Sequence, residues 1–382
     1  MNKKGTKLYF LELAMAGVYH SDINAGFLAI LQNAFPDVSK IIIKAEKQHV
    51  KACKALLDRD SEKLEFRPFY FPKVKLASLI IRDILGFGHA VYTLCMTRKG
   101  DTLFFSYVLP ITHIGIVLLN KLLHRKILIC LHGQMEAFIP ESPLRYTKLY
   151  FGMERPFFKM NKHGYYVILG EAIRKEIAFL FSESNKLITI DHPYNYNVKD
   201  FRISNFSPLK IGQIGVGDLG KGTQLIFDLA NRLEEFIKTK ELEIIVVGKL
   251  NSTVLQYDNG LVRYFHAPLG DSQFRDEISQ LHYSLYFRND MQGIAVASGS
   301  FFDTVKYLKP YISLNNRFIC SYSAKFPDTG HIAGSIEEMA LTIRKIIKNR
   351  SVEEYQETVG RLKVMRNALS LDNITIAFKE QL

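Results

Sequence analysis

The chemistry-bearing residues cluster in four loops. One is the run Ile211-Gly212-Gln213-Ile214-Gly215-Val216-Gly217-Asp218-Leu219-Gly220-Lys221-Gly222. Glycines let backbone amides approach an anion, a following helix adds its positive end, and Lys221 supplies a point charge. That combination suits a diphosphate. On its own it is equally a tight turn with a solvent lysine, and such turns are common. The second segment, Gln292 to Asp303, is built of small residues and ends in Ser298-Gly299-Ser300 before a helical stretch. It reads as an anion nest in which Ser300 caps the helix. Arg288, directly after the apolar Ser284 to Phe287, is a lone cation placed to reach the same anion.

The other two loops lie in the first half of the chain. Ala14 to Asp22 follows an apolar run and holds Gly17, His20 and Asp22. A histidine there can act as a general base because its ordinary pKa lies near neutrality. Ser21 or Asp22 is expected to cap the helix that follows. His132, in Leu131-His132-Gly133, also ends an apolar run. A histidine at a strand end is more often structural than catalytic, and both readings stand at this point.

These loops need a scaffold, and the hydrophobic rhythm supplies one. Apolar runs at Leu8–Leu13, Lys40–Ala45, Leu64–Phe71, Leu103–Val108, Lys126–Leu131, Tyr165–Leu169 and Leu187–Ile190 alternate with helical stretches, among them Leu76–Met96 and Pro143–Lys159. A second series runs through Leu209–Val216, Leu242–Val247, Leu261–Phe265, Ser284–Phe287 and Lys309–Leu314, with a helix over Gln224–Phe236. Near-continuous apolar strands separated by helices predict an α/β fold with parallel sheets covered on both faces. Residues 197–209 lack periodicity and are rich in Asn, Ser and Pro, which marks a linker. The expected organisation is a Rossmann-like domain over 1–196, a second over 210–365, and a helical tail over 366–382 that packs back on the first. Two such sheets would face a central cleft at the carboxyl ends of their strands.

From Lys210 to Ile312 the order and spacing of three segments resemble the GT-B glycosyltransferases, and within them the retaining family 4. These are the Gly-rich turn with Lys221-Gly222, the strand Ile244-Ile245-Val246-Val247-Gly248, and the stretch from Tyr283 to Lys309-Pro310-Tyr311-Ile312. The resemblance implies a nucleoside diphosphate sugar donor of the UDP or GDP type. It assigns donor contacts to Gly17, Gly217, Lys221, Gly222, Arg288, Ser298, Gly299, Ser300 and Asp303. Asp303 falls at the second glutamate of the family's Glu-x7-Glu motif, and Ala295 takes the place of the first. The family's arginine before the Lys-Gly pair is absent, with Gly217 and Asp218 in that region. His132 matches the family's His-Gly pair and would contact the transferred sugar. Retention at the anomeric carbon is implied, with no metal ion and no cofactor. Were the enzyme inverting instead, His20 or Asp22 would be the base.

Composition narrows the setting. With 47% hydrophobic and 23% charged residues, the 382-residue chain is an ordinary two-domain globular protein. No apolar stretch offers the roughly 20 clean residues of a membrane span. Four scattered cysteines suit a reducing cytoplasm. A net charge of +12 draws anions. Arg67-Pro68-Phe69-Tyr70-Phe71-Pro72-Lys73-Val74-Lys75 mixes cations with aromatics as a membrane interface does. A glycan or lipid-linked acceptor for surface polysaccharide or lipopolysaccharide, met at the inner membrane face, follows as the expected partner. A nucleotide-sugar 2-epimerase and a non-catalytic GT-B binding protein are the alternatives. Nucleic-acid binding has no motif behind it.

Overall fold

The computed structural model describes residues 5–57, 62–71, 78–139, 145–198, 206–289 and 293–382. The chain divides into two compact units. Unit 1 comprises Met1–Asn195, Ala295–Ala297 and Leu369–Leu382, and unit 2 comprises Tyr196–Ile294 and Ser298–Ala368. Most of the expected linker, at 199–205, lies outside the described residues, as do 72–75 of the basic aromatic run and Gln292 of the second glycine-bearing segment.

In unit 1 the strands are β1 (Lys7–Glu12), β2 (Lys40–Lys44), β3 (Leu64–Phe66), β4 (Thr102–Tyr107), β5 (Lys126–Leu131), β6 (Tyr165–Leu169) and β7 (Lys186–Ile190). Between them run α1 (Ser21–Ala34), α2 (Lys47–Leu56), α3 (Ser78–Met96), α4 (Pro110–Leu123), α5 (Arg145–Gly152), α6 (Arg155–Met160) and α7 (Glu171–Ile177). The sheet order is β3-β2-β1-β4-β5-β6-β7 and every pairing is parallel. Every residue of β4 is buried, as its near-continuous apolar run predicts for a central strand with both faces covered. The core on one side gathers Leu8, Phe10, Phe27, Leu31, Ile41, Phe104 and Leu128 with Ile374 and Phe378 from the C-terminal tail.

In unit 2 the strands are β8 (Leu209–Ile214), β9 (Leu242–Lys249), β10 (Val262–Phe265), β11 (Tyr283–Tyr286), β12 (Tyr311–Leu314) and β13 (Gly330–Ala333). The helices are α8 (Leu225–Arg232), α9 (Glu234–Lys238), α10 (Ser252–Leu255), α11 (Asp271–Gln280), α12 (Gly299–Lys306), α13 (Arg317–Lys325), α14 (Ile336–Asn349) and α15 (Val352–Ala368). The last helix, α16 (Leu371–Glu380), packs on α1 and β7 of unit 1. The order β10-β9-β8-β11-β12-β13 is again all parallel.

Both sheets therefore run third-second-first-fourth, and the winding reverses between β1 and β4 and between β8 and β11. Ligands of open α/β sheets sit at the carboxyl ends of the strands at that reversal. The loops after β1 and β4, and after β8 and β11, are placed accordingly.

Several expected elements come out differently. The stretch to Lys159 forms two helices, because Glu154 starts a new one with Pro156 in its first turn. Its carboxylate Oε2 is bonded to His113 Nδ1 at 2.7 Å in the interior. The stretch Gln224–Phe236 also breaks, at Leu233, into α8 and α9. The third strand ends at Phe66, with only an isolated bridge from Glu46 to Phe69 beyond it. Neither α13 nor β13 was expected; Asn316 caps α13 by accepting from Phe318 and Ile319 N–H.

Candidate functional site

In unit 2 the turn after β8 is shaped by its glycines. Gly215 has φ +88°, and the Lys221 Nζ lies 3.2 Å from where a Cβ on Gly215 would stand. The ammonium thus lies close beside Gly215, and a side chain at 215 would crowd it by a few tenths of an ångström. Gly222 has φ +71°, and a Cβ there would lie 2.6 Å from the Phe287 carbonyl oxygen. This packs the turn tightly against the end of β11. Asp218 closes the turn by accepting from Lys221 N–H at 2.9 Å. Buried Thr223 locks it to β8: its Oγ1 accepts from Gln213 Nε2 and Asp218 N, both at 2.9 Å.

Arg288 lies against the same turn, its Nε donating to Gly220 O at 3.2 Å. Lys221 and Arg288 both line a cavity of about 30 Å³ with Gln213, Ile214, Tyr286, Ser298 and Ser300. That volume admits a water or two, so it is the floor of a site rather than its whole. Burial pushes the Lys221 pKa below the usual lysine value, Arg288 adds to the effect, and Asp218 and Asp303 oppose it. A half-buried ammonium beside a guanidinium gains strongly from an arriving anion.

Three donor-site expectations change in detail. The helix α12 starts at Gly299 with Ser298 before it, and no side chain caps it. Ser300 is not the cap: it sits inside the first turn, with its Oγ 3.1 Å from Ser298 Oγ. The Gly299 amide nevertheless stands at an open helix start, with nothing within 4 Å of its Cβ position. Gly217 does not offer its amide, which donates to Lys249 O at 2.9 Å. Its lack of a side chain instead admits Leu250, 2.7 Å from its Cβ position. Asp303 lies near enough to Lys221 to favour its charge.

In unit 1 the loop after β1 and the end of β5 bring histidines together. His20 precedes α1 in the left-handed region, φ 63° and ψ 8°. Its ring stacks on His132, with centroids 4.6 Å apart, and Tyr107 from β4 meets both rings edge-on. Among the described residues His20 Nδ1 and His132 Nε2 are buried without a hydrogen-bond partner. Burial drives the pKa of His132 well below the usual value, and His20 and His192 lower it further. His192 is pushed down to about 3, by burial first and then by His20. The His20 pKa is lowered by burial too, with Glu12 opposing. All three are neutral at pH 7. So weakly basic an imidazole is a poor general base but a good hydrogen-bonding partner for a hydroxyl.

Neither Ser21 nor Asp22 caps α1: Ser21 Oγ donates to Val18 O at 2.8 Å, and Asp22 is exposed on the first turn. The helix turns Asn24 inward instead. Asn24 Nδ2 contacts both Glu12 Oε2, at 3.1 Å, and His49 Nε2, at 2.8 Å. His49 Nδ1 faces Gly17 O at 3.0 Å, and a carbonyl only accepts, so His49 is the Nδ1–H tautomer. Glu46 Oε2 accepts from Gly17 N at 3.2 Å. Gly17 is thus held from both sides, its amide engaged rather than offered to a donor. Glu12, fully buried, also accepts from Ala14 N, Met15 N and Ser106 Oγ.

Sequence reasoning missed Glu12, Asn24, Glu46, His49, Tyr107 and His192. A carboxylate ending the apolar run of β1 was the available signal. Ala295 N donates to the buried carboxylate of Glu136, Oε2 at 2.9 Å. No group of three or more His, Cys, Asp or Glu among the described residues is arranged to hold a metal ion. An Asp-x-Asp triplet, Asp58-Arg59-Asp60, lies outside them.

No family model matches the chain, and no curated protein is similar to it in sequence. Solved structures do match its fold. HepE of Anabaena, crystallised with UDP, superimposes with a TM-score of 0.67 at 10% identity over 98% of both chains. WaaG, a glycosyltransferase involved in lipopolysaccharide biosynthesis, gives 0.61 at 12% identity, also over 98% of both chains. Sucrose-phosphate synthase of Thermosynechococcus elongatus gives 0.66 at 10% over the same shares. With its two all-parallel α/β units, the chain has the GT-B fold of these glycosyltransferases.

Proposed function

We propose that this protein is a glycosyltransferase that moves a sugar from a nucleoside diphosphate sugar, of the UDP type, to a glycan or lipid-linked acceptor in cell-surface polysaccharide or lipopolysaccharide assembly at the cytoplasmic membrane face. The observation that carries the reading is the pair of cations on one small cavity at the β8/β11 reversal: Lys221 close beside Gly215, and Arg288 bonded over Gly220. Support comes from solved GT-B structures whose ligands are UDP, UDP-glucose, or α-GlcNAc-glycerol with UDP.

In the transfer, the bond from the anomeric carbon to the donor phosphate oxygen breaks, and its electron pair leaves with the diphosphate. The acceptor hydroxyl oxygen forms the new bond to the anomeric carbon, and its proton passes to the departing diphosphate oxygen. Charge accumulates on the diphosphate, where Lys221, Arg288 and the first amides of α12 stabilise it. Those groups do the work of a metal ion, which makes the reaction metal-independent. Asp303 accepts hydrogen bonds from the donor ribose hydroxyls, and neutral His132 bonds a hydroxyl of the transferred sugar. Weakly basic histidines fit a retaining course, which needs no strong base.

The test is thermal stabilisation across UDP-, GDP- and TDP-sugars, followed by turnover with and without acceptor. Stabilisation by a UDP-sugar with acceptor-dependent release of UDP is expected. Conversion of the donor without acceptor would identify an epimerase, and binding without any turnover a non-catalytic protein.

A further inference from the structure

We propose that unit 1 carries a docking surface for an anionic lipid bilayer, in which α3 lies along the headgroup boundary and an adjoining basic cavity holds a phospholipid phosphate. The inference deepens the acceptor side of the proposed function and rests on it only for the identity of that acceptor.

The helix itself is the first observation. Over Leu79–Met96 its mean hydropathy is 1.3, yet only 28% of that window is buried. Leu79, Ile80, Ile84, Leu85, Tyr92 and Met96 are exposed, Ile84 at 53% and Met96 at 63%. Their spacing of about four residues puts most of them along one side. The inner side is fixed to the fold. Asp83 is buried and accepts from Ile111 N at 2.7 Å, Thr112 N at 2.8 Å and Thr112 Oγ1 at 2.6 Å, which caps α4. Leaving those donors to cross a bilayer would bury an unpaired carboxylate in hydrocarbon. The helix therefore lies on a membrane rather than through it. Contiguous exposed apolar side chains of this size mark an interaction surface.

The cavity is the second, independent observation. It measures about 220 Å³ and is lined by Lys7, Lys44, Arg67 and Arg98, with Tyr9, Tyr92, Met96 and Asp101 among the other residues. Four cations face one carboxylate, and that carboxylate is occupied: Asp101 accepts from Lys7 N and Arg98 N, each at 2.9 Å. Arg67 is shared with Glu65 at its edge. Lys44 donates to Thr93 Oγ1 at 2.9 Å and lies over the Tyr92 ring. Burial and the nearby Arg67 depress its pKa, so an anion here relieves repulsion. Tyr92 and Met96 belong to both the cavity wall and the apolar face, which joins the two features into one surface.

Charge selects the occupant. A second copy of the chain brings another +12 to a surface rimmed by cations. A soluble phosphate would fill the cavity but leave the apolar side of α3 in water. An anionic bilayer satisfies both, with apolar side chains in the acyl boundary and cations on phosphate.

The test is co-sedimentation of the full chain with phosphatidylcholine vesicles, with and without phosphatidylglycerol, at low and high salt. Binding should require the anionic lipid and weaken with salt. The double variant Ile80→Glu/Ile84→Glu should lose at least about tenfold in binding, and Lys7→Ala or Arg98→Ala about fivefold each. Stabilisation by UDP should be unchanged in all of them, which separates this surface from the donor reading. An environment-sensitive dye on exposed Cys95 of α3, in a Cys320→Ser background, reports insertion without substituting any of the apolar side chains. Its emission should shift blue on anionic vesicles only. The proposal is overturned if the unaltered chain ignores vesicles, if the variants bind as well as it does, or if glycerol phosphate binds the cavity while vesicles do not. Self-association abolished by the double variant would assign the face to a second copy instead.

Discussion

The two units wind their sheets in the same order yet equip the point of reversal in opposite ways. In unit 2 the reversal carries cations at close range to glycine backbone, Lys221 beside Gly215 and Arg288 over Gly220. In unit 1 it carries His20, His132 and His192, all held neutral, and Glu12, whose charge is absorbed by surrounding donors. One arrangement awaits an anion, and the other offers neutral hydrogen bonds. The scaffold therefore decides where chemistry happens but not its sign, which is set by the few residues in the loops.

The contrast can be broken most severely at Lys221. Lys221→Met should lower turnover by about 10²- to 10³-fold, the loss typical of one charge-stabilising donor, measured as UDP release with saturating acceptor. His132→Phe removes a neutral partner while keeping a ring against His20, so it should cost less, about tenfold, and mostly in turnover rather than donor affinity. Equal losses at the two positions would erase the distinction between the units. Gly222→Ala tests the packing beneath it. A Cβ at φ +71° and 2.6 Å from Phe287 O should destabilise the protein by about 1–3 kcal/mol in chemical unfolding.

Buried titratable groups make the stability of each unit depend on pH. A histidine whose folded pKa is depressed gives stability that is present above its ordinary 6.5 and lost as pH falls toward the folded value. His192, at about 3, thus weakens unit 1 below about pH 6.5. Lys309, whose ammonium nitrogen is buried against Ser279 O and Leu281 O, is pushed down to about 7 from an ordinary 10.5. Between those values the unfolded chain binds the extra proton, so unit 2 gains stability as pH rises from about 7 toward 10.5. Thermal unfolding across pH should show an acid limb flattened by His192→Phe and an alkaline rise flattened by Lys309→Met.

Much of this was legible in the sequence, for a physical reason. Strands such as Lys126–Leu131 and Tyr165–Leu169 are near-continuous apolar runs flanked by polar or glycine residues, so their extent shows locally. Lys221 and Gly222 were legible because a glycine turn writes its whole geometry into a few adjacent residues. The unit 1 cluster was not. Glu12 meets Ser106 across 94 positions and Asn24 meets His49 across 25, and no local pattern encodes such meetings. Edge strand β13 was missed because only Ala333 in it is buried, so its apolar period is absent. The break before Glu154 follows from a buried pairing with His113, which is a tertiary fact.

Calorimetric titration of UDP into the unaltered chain and into Lys221→Met and Arg288→Ala tests the central claim most directly. A saturable heat from the unaltered chain, weakened at least about tenfold by either substitution, is the predicted result. Equal affinity in all three proteins would contradict it, and with it the assignment of the diphosphate to this turn.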